Sequence, residues 1–151
     1  MNKKRILLAD DDLDDTEMFC EALALIDKNI ICECANNGSD ALNKLDALDF
    51  KPELIFLDLN MPVMNGWDCL KTLKKDKRYH NIPVIMISTS SHKKDMEAAA
   101  NLGALCYFVK PNSFKDLKDV LDSITASLGA DLKDAIANLQ ASPSASIFSF
   151  V

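Results

Sequence analysis

The chain has 151 residues, a net charge of −6 and a pI near 4.8. This length is typical of one domain with a substantial core and is small for two. An acidic surface disfavours non-specific binding to nucleic acid or to an anionic membrane, because both require a basic face. The strand-like apolar runs at residues 6–9 and 54–57 are far too short to cross a bilayer, and residues 2–5 are not followed by the apolar stretch of a signal peptide. We therefore expect a cytoplasmic protein without direct contact to nucleic acid or membrane.

Apolar runs alternate with helical patterns five times along residues 1–128. The runs predict strands at residues 6–9, 30–35, 54–57, 84–87 and 105–109. Each run is followed by apolar residues at helical spacing, for example Ala41, Leu42, Leu45 and Leu48 after the second strand. Repeated strand–helix units with right-handed crossovers predict an α/β fold, in which helices cover both faces of an open, doubly wound, five-stranded parallel sheet.

The last 23 residues, 129–151, have a different pattern and are interpreted as a C-terminal extension of the domain at residues 1–128. Leu132, Ile136 and Leu139 keep a weak helical spacing, which fits either a short separate helix or a continuation of the preceding one. Beyond it we expect a flexible tail, or a segment at residues 147–151 that docks on a partner or on the domain itself. The extension is too short for an output domain such as a helix-turn-helix.

Five cysteines occur at positions 20, 32, 34, 69 and 106, without a C-x-x-C pair. Cys32 and Cys34 alternate on a predicted strand and would share one face, which invites a metal-site interpretation. Because no histidine and no further cysteine is close to them in sequence, we instead interpret the cysteines as buried, reduced thiols.

Polar residues follow four of the five predicted strands. In chain order they are Asp10-Asp11-Asp12, Asp58, Ser88-Thr89 and Lys110-Pro111. The carboxyl ends of parallel strands meet at one edge of the sheet, where ligands bind. Carboxylates, a hydroxyl and an ammonium group are therefore expected to lie together.

This set of side chains suits phosphoryl transfer. Clustered carboxylates repel one another unless a cation holds them together, and hard oxygen ligands in a small site favour Mg²⁺. A carboxylate such as Asp58 can act as the nucleophile and form an acyl phosphate by in-line attack on phosphorus. Lys110 and Ser88 can stabilise the charge on the transferred group.

At residues 4–127 the chain resembles the receiver domains of two-component response regulators. The matching elements are the acid pair after residues 5–9, Asp58 within residues 54–62 with Gly66 following, Ser88 after residues 83–87, and Lys110-Pro111 after residues 106–109. The resemblance implies a flavodoxin-like, three-layer αβα fold with strand order 2-1-3-4-5, the order found in the chemotaxis member of the family.

The resemblance also implies roles for individual residues. Asp58 is expected to accept the phosphoryl group, with Ser88 and Lys110 as its catalytic partners. Asp11 and Asp58 are expected to bind Mg²⁺ directly, Asp10 mainly through water, and Asn60 through its backbone carbonyl.

A second group of residues is implied in signalling. Ser88 and Tyr107 match the switch pair of the family, in which the aromatic side chain turns inward on phosphorylation. Asn60 and Ser90 occupy positions that tune the lifetime of the phosphoaspartate, and the Lys110–Pro111 peptide bond is expected to be cis.

The implied function is a signalling switch rather than an enzyme. A sensor histidine kinase or a histidine phosphotransfer protein would donate the phosphoryl group, and a downstream protein would read the conformational change. A homodimer through the fourth helix, fifth strand and fifth helix is a further expectation. Within the family, the sequences of residues 81–90 and 106–111 resemble those of stand-alone receivers that serve bacterial phytochrome kinases.

Two other motifs in the acidic run favour different functions. Asp10, Asp12 and Asp14 partly match an EF-hand calcium loop, but Asp15 occupies the position that needs glycine. Residues 12–16 fit the D-x-D-x-T signature of small aspartate-nucleophile phosphatases, although Asp12 lies two residues beyond the strand. A phosphatase and a phosphorylation-independent interaction module therefore stay as the alternative functions.

Overall fold

A computed structural model describes residues 3–128, 132–140 and 147–149 of the chain. Its strands are β1 Lys4–Ala9, β2 Ile30–Ala35, β3 Leu54–Asp58, β4 Val84–Ser88, β5 Cys106–Val109 and β6 Ile147–Ser149. Its helices are α1 Leu13–Ile26, α2 Gly38–Ala47, α3 Gly66–Lys75, α4 Lys93–Asn101, α5 Phe114–Thr125 and α6 Leu132–Gln140.

The predicted doubly wound sheet is confirmed. The first five strands are parallel and lie in the order β2-β1-β3-β4-β5. Every residue of β3 and β4 is buried, as expected of central strands that are covered on both faces. Strand order reverses between β1 and β3, so the carboxyl ends of these two neighbours form the crevice in which ligands bind to such sheets.

Two apolar layers hold helices against the two faces of the sheet. On one face, Ile6, Leu8 and Phe56 pack with side chains of α1 and α5, and the rings of Phe19 and Phe56 meet edge to face at 4.8 Å. On the other face, alternate residues of the same strands, such as Leu7 and Ile55, pack with α2 and α3. The period-two alternation of β1 and β3 thus builds the three-layer αβα arrangement.

Four of the described helices begin at a capping side chain. Asp12, Asn37, Asn65 and Ser113 each accept a hydrogen bond from a backbone N–H in the first turn of α1, α2, α3 and α5. Because α1 starts at Leu13, residues 13–21 are helical and cannot form an EF-hand loop. The Asp12 carboxylate accepts hydrogen bonds from backbone N–H groups of α1. It is therefore not available as the nucleophile that the D-x-D-x-T interpretation requires.

The C-terminal extension packs on the domain. A separate helix, α6, follows α5, and β6 pairs antiparallel with β5 as a sixth strand of the sheet. Leu132, Ile136 and Ile147 are buried in the same layer as Leu121 and Ile124. Five strands were expected, and the sixth was missed because three residues are too few to show a strand period. The rest of the expected flexible tail, residues 141–146 and 150–151, lies outside the described residues.

The cysteines are all free thiols, but only two match the expected environment. Cys69 and Cys106 are buried, as predicted. Cys20, Cys32 and Cys34 are partly exposed and contact one another, so the prediction that they are buried is wrong. The sequence could not reveal this contact, because it depends on how α1 packs across β2.

The packing of α6 can be tested by truncating one side chain. Ile136 is 1% exposed, and removing a buried isoleucine side chain costs about 2–5 kcal/mol. We expect Ile136→Ala to lower the free energy of unfolding by about 2–4 kcal/mol in urea titrations. The exposed neighbour Asn138 is the matched control, and Asn138→Ala should change stability by less than about 0.5 kcal/mol. Equal effects of the two substitutions would contradict the docking of α6.

Candidate functional site

The acidic cluster lies at the carboxyl ends of β1 and β3. Asp10, directly after β1, is 2% exposed, and its backbone N–H donates to the carbonyl of Ala35 at 3.0 Å. Its Oδ1 accepts a hydrogen bond from the backbone N–H of Asp12 at 3.0 Å. The next residue, Asp11, is exposed. One carboxylate oxygen from each of Asp10, Asp11 and Asp58 lies within 4.8 Å of the others, so the predicted carboxylates do converge.

Asp58 is the last residue of β3 and is 7% exposed. Its Oδ1 faces the backbone N–H of Asn60 at a long 3.4 Å. Burial raises the pKa of Asp58 to about 6, with Lys110 opposing the shift and Asp10 adding to it. The negative charge on this carboxylate is therefore only partly compensated by the protein.

The loop after Asp58 is held close to the strand end by Gly66. A Cβ atom at position 66 would lie 2.2 Å from the carbonyl oxygen of Asp58, which is far inside contact distance. The Gly66 N–H donates to the carbonyl of Leu59 at 3.0 Å and closes this loop. Because any side chain at position 66 would push on the backbone of Asp58, glycine is required here by the close approach of two chain segments.

Lys110 follows β5 and links three acidic side chains. Its Nζ lies 2.9 Å from Asp10 Oδ2, 2.8 Å from Asp15 Oδ2 and 3.3 Å from Asp58 Oδ2. Burial by itself would lower the pKa of Lys110, but the bonds to Asp15 and Asp10 raise it above the ordinary value. Lys110 is thus held charged, as the phosphoryl-transfer interpretation requires.

Asp15 is the part of this cluster that the sequence did not reveal as a site residue. Asp14 and Asp15 both lie in the first turn of α1, where acidic side chains face the positive end of the helix dipole. The geometry of α1 turns Asp15 toward Lys110 and leaves Asp14 exposed. The position of α1 over the sheet edge therefore decides that Asp15 contacts Lys110 and that Asp14 faces solvent.

A hydrogen-bonded network lies beside the cluster at the end of β4. Ser88 is 2% exposed, and its Oγ accepts from the backbone N–H of Ser90 at 3.0 Å. The Ser90 hydroxyl donates to Asp95 in α4 at 3.0 Å, and the Tyr107 hydroxyl donates to the carbonyl of Ser90 at 2.9 Å. Ser90 therefore connects the end of β4 to both α4 and β5.

Tyr107 is fully buried, so its side chain already points inward in this structure. One expectation about the end of β5 needs correction. Among the described residues no peptide bond is cis, so the Lys110–Pro111 bond is trans. Trans is the isomer that such a bond intrinsically favours by about 0.5–1 kcal/mol, and the Lys110 N–H can still donate to the carbonyl of Ser88 at 2.8 Å.

The remaining predicted residues lie at the border of the site. Asn60 is exposed, and Ser90 is partly exposed.

Among the described helices, none combines the length and apolar character needed to span a membrane.

Comparison with known proteins agrees with this geometry. A model of the response regulator receiver domain matches residues 6–122. Chemotaxis protein CheY1 of Helicobacter pylori is 32% identical over 120 residues, which cover 80% of this chain and 95% of CheY1. A protein-glutamate methylesterase/protein-glutamine glutaminase of Clostridium acetobutylicum is 35% identical over 126 residues, covering 82% of this chain. The chain spans only 35% of the length of that relative.

Solved structures show the same fold. The phosphorylated cyanobacterial phytochrome response regulator RcpA superposes with a TM-score of 0.77 at 29% identity, covering 83% of this chain and 94% of RcpA. The Mn²⁺-bound form of response regulator Rcp1 gives a TM-score of 0.70 at 30% identity, covering 82% of this chain and 92% of Rcp1. The fold and its acidic edge define a module of two-component signalling. The chain belongs to the response regulator receiver domain family.

The raised pKa of Asp58 predicts how stability depends on pH. Its carboxyl has a pKa of about 6 in the fold against an ordinary value of 3.8, so between about pH 4 and 6 the folded chain keeps a proton that the unfolded chain has lost. Ionised Asp58 therefore destabilises the fold increasingly as pH rises through this window. In metal-free protein we expect Asp58→Asn to be more stable than wild type at pH 7.5, by about 1–2 kcal/mol. The difference should shrink as pH falls from about 6 to 4.

Urea unfolding in the presence of a chelator, repeated across this pH range, measures the effect. Asp14→Asn is the control, since Asp14 is also acidic and close in sequence but exposed. A stability difference between wild type and Asp58→Asn that does not vary with pH would contradict the raised pKa.

Proposed function

We propose that the chain is a phosphorylation-dependent signalling switch that accepts a phosphoryl group on Asp58. The observation that carries this proposal is the convergence of four side chains at one sheet edge. Asp58 lies with Asp10 and Asp11 in a carboxylate group, and its Oδ2 is 3.3 Å from the ammonium of Lys110. A nucleophile and a positive charge for the transferred group are thus in contact before any donor binds.

In the proposed transfer, a carboxylate oxygen of Asp58 attacks the phosphorus of a phosphohistidine on a sensor kinase or a phosphotransfer protein. The new O–P bond forms as the P–N bond breaks, and the electron pair of the broken bond returns to the imidazole, which takes up a proton. Lys110 stabilises the negative charge on the phosphoryl oxygens, and Ser88, at the end of the next strand, donates its hydroxyl to one of them.

Asp10, Asp11, Asp58 and the backbone carbonyl of Asn60 are the proposed ligands of Mg²⁺. The donor set fits this hard cation, because it consists of oxygens and includes an exposed carboxylate through which the ion can enter. The raised pKa of Asp58 supports the need for a cation, since Lys110 is already shared with Asp10 and Asp15. When bound, Mg²⁺ supplies positive charge that offsets the carboxylates and the phosphoryl oxygens.

The proposed switch runs through Ser90. A phosphoryl group that draws Ser88 inward changes the hydrogen bond between the Ser88 hydroxyl and the Ser90 N–H. Ser90 in turn bonds Asp95 of α4 through its hydroxyl and Tyr107 of β5 through its carbonyl. Movement at Ser88 is thereby passed to α4 and β5, where it biases a two-state equilibrium. Asn60 and Ser90 are proposed to set the lifetime of the phosphoaspartate by controlling the approach of water.

The proposed readout is a protein partner that binds the surface of α4, β5 and α5. A second copy of this chain can be that partner, although β6 already pairs with the outer edge of β5 and would have to be part of the interface or move. The similarity to RcpA, a cyanobacterial phytochrome response regulator, supports a kinase of the bacterial phytochrome type as the phosphoryl donor.

Phosphoryl acceptance can be tested with a small phosphodonor such as acetyl phosphate and Mg²⁺, followed by intact-mass measurement. We expect wild type to gain one phosphoryl group per chain and Asp58→Asn to gain none, because the acceptor oxygen is lost. Omission of Mg²⁺ or Asp11→Asn should slow the gain at least about tenfold through loss of transition-state stabilisation. Asp14→Asn should behave as wild type.

Several results would decide against the proposal. Equal gain of mass by wild type and Asp58→Asn would remove Asp58 as the acceptor. Sustained turnover of phosphate esters would indicate a small phosphatase instead, and partner binding that is unchanged in Asp58→Ala would indicate a phosphorylation-independent module.

The role of Ser90 predicts that acceptance and signalling can be separated. Tyr107→Phe removes the hydroxyl that donates to the Ser90 carbonyl but keeps the buried ring. We expect this variant to be phosphorylated at a rate close to that of wild type. The change in amide hydrogen exchange of α4 that follows phosphorylation should become smaller, and an undiminished response of α4 would argue against the Ser90 connection.

A further inference from the structure

Three of the five cysteines form a cluster on the side of the domain that carries α1 and β2. Cys20 lies on α1, and Cys32 and Cys34 lie on β2. The Sγ atom of Cys20 is 3.1 Å from that of Cys32 and 3.2 Å from that of Cys34, and the last two are 3.8 Å apart. All three residues are partly exposed, so the cluster can be reached from solvent.

We propose that Cys20, Cys32 and Cys34 bind a soft, thiophilic metal ion, Zn²⁺ or Cu⁺. Zinc–thiolate bonds are about 2.3 Å long, which places sulfurs that share a tetrahedral ion about 3.8 Å apart. The three sulfurs already lie 3.1–3.8 Å apart. When an ion binds between the sulfurs, only the two shorter sulfur–sulfur distances have to increase, to about 3.8 Å. The chain therefore supplies a nearly formed site.

A disulfide explains the cluster less well. A disulfide bond joins two sulfurs at about 2.05 Å and leaves the third without a role. In this chain each sulfur is in contact with the other two, and all three share one small volume. Three donors around one point are the arrangement that a single cation requires.

The chemistry of the donors selects the ion. Thiolates are soft ligands that favour Cu⁺ and Zn²⁺ over Mg²⁺. Among the described residues, the cluster consists of three cysteines and includes no carboxylate or imidazole. Cu⁺ can be satisfied by three thiolates, whereas Zn²⁺ would keep its fourth position for water. Lys44 donates to the backbone carbonyl of Cys34, which places an ammonium close to one member of the cluster.

The cysteine cluster shares no residue with the phosphoacceptor site, so the proposal does not rest on phosphorylation. It is nevertheless connected to that site through the backbone. Cys34 precedes Ala35, whose carbonyl accepts from the N–H of Asp10, and α1 carries both Cys20 and Asp15. A bound ion would cross-link α1 to β2, the two elements that flank the acidic residues.

The test uses the full chain, reduced and stripped of metal, in excess Mg²⁺ so that the acidic site is occupied. Zn²⁺ alone and Cu⁺ alone are titrated in separate arms against a chromophoric chelator of known affinity. We expect one equivalent to bind per chain in at least one arm, with a near-ultraviolet absorption band from the metal–thiolate bonds. Each of Cys20→Ser, Cys32→Ser and Cys34→Ser should weaken binding at least about tenfold, and the triple variant should abolish both binding and the band.

Cys69→Ala is the matched control, because Cys69 is a free thiol on α3 outside the cluster, and this variant should bind metal as wild type does. Circular dichroism and Mg²⁺ binding of every variant separate loss of the site from loss of the fold. Failure of wild type to bind either ion, or equal binding by the triple serine variant, overturns the proposal. Formation of a disulfide under mild oxidation, seen as loss of two hydrogens by mass without metal binding, also overturns it and assigns the cluster to redox chemistry.

Discussion

Lys110 is the charge on which the arrangement of the sheet edge depends. Its ammonium contacts Asp10 after β1, Asp15 in α1 and Asp58 at the end of β3, and it reaches them from the end of β5. Without a cation at this point, buried carboxylates from neighbouring strands would repel one another or take up protons. Lys110 lowers that repulsion but does not remove it, because the pKa of Asp58 is still raised. The negative charge that remains uncompensated favours a cation at this edge.

The structure around this charge is built to hold Asp58 in place while allowing its neighbours to respond. Asp58 belongs to a fully buried strand, and the Gly66 backbone closes on its carbonyl oxygen. The Ser88 side is different, because one hydrogen bond from the Ser90 N–H joins it to a loop that also contacts α4 and β5. A rigidly held carboxylate beside a hydrogen-bonded network is the combination that the proposed switch needs, because the proposed reaction is local and its effect has to reach α4 and β5.

The regions outside the acidic edge extend this family fold in two directions. At the β5 side, α6 and β6 pack on the apolar layer that contains α5. β6 also pairs with β5, and Phe148 lies opposite Tyr107 in this pairing. At the β2 side, three thiols meet between α1 and the edge strand. Both features lie next to elements that carry residues of the acidic edge or of the adjoining hydrogen-bonded network.

The alternation of strands and helices and the positions of Asp58, Ser88 and Lys110 were predictable because the signals are local, whereas the spatial order of the strands was implied only by the resemblance to receiver domains. Buried parallel strands are apolar runs, and their polar ends can be read directly after them. The capping role of Asn37 and the delay of α3 until Gly66 follow from the same short-range rules.

Other features were decided by tertiary packing. Asp14 and Asp15 are equivalent in sequence, and only the rotation of α1 turns Asp15 to Lys110. Cys20 contacts Cys32 and Cys34 only because α1 packs across β2. Residues 147–149 form a sixth strand only because the outer edge of β5 is available for pairing. The sequence by itself determined the alternation of strands and helices and the polar residues that end the strands, since these depend on neighbours along the chain. The tertiary structure alone decided the partners of Lys110, the inward position of Tyr107 and the thiol cluster, since these depend on contacts between residues that are distant in the chain.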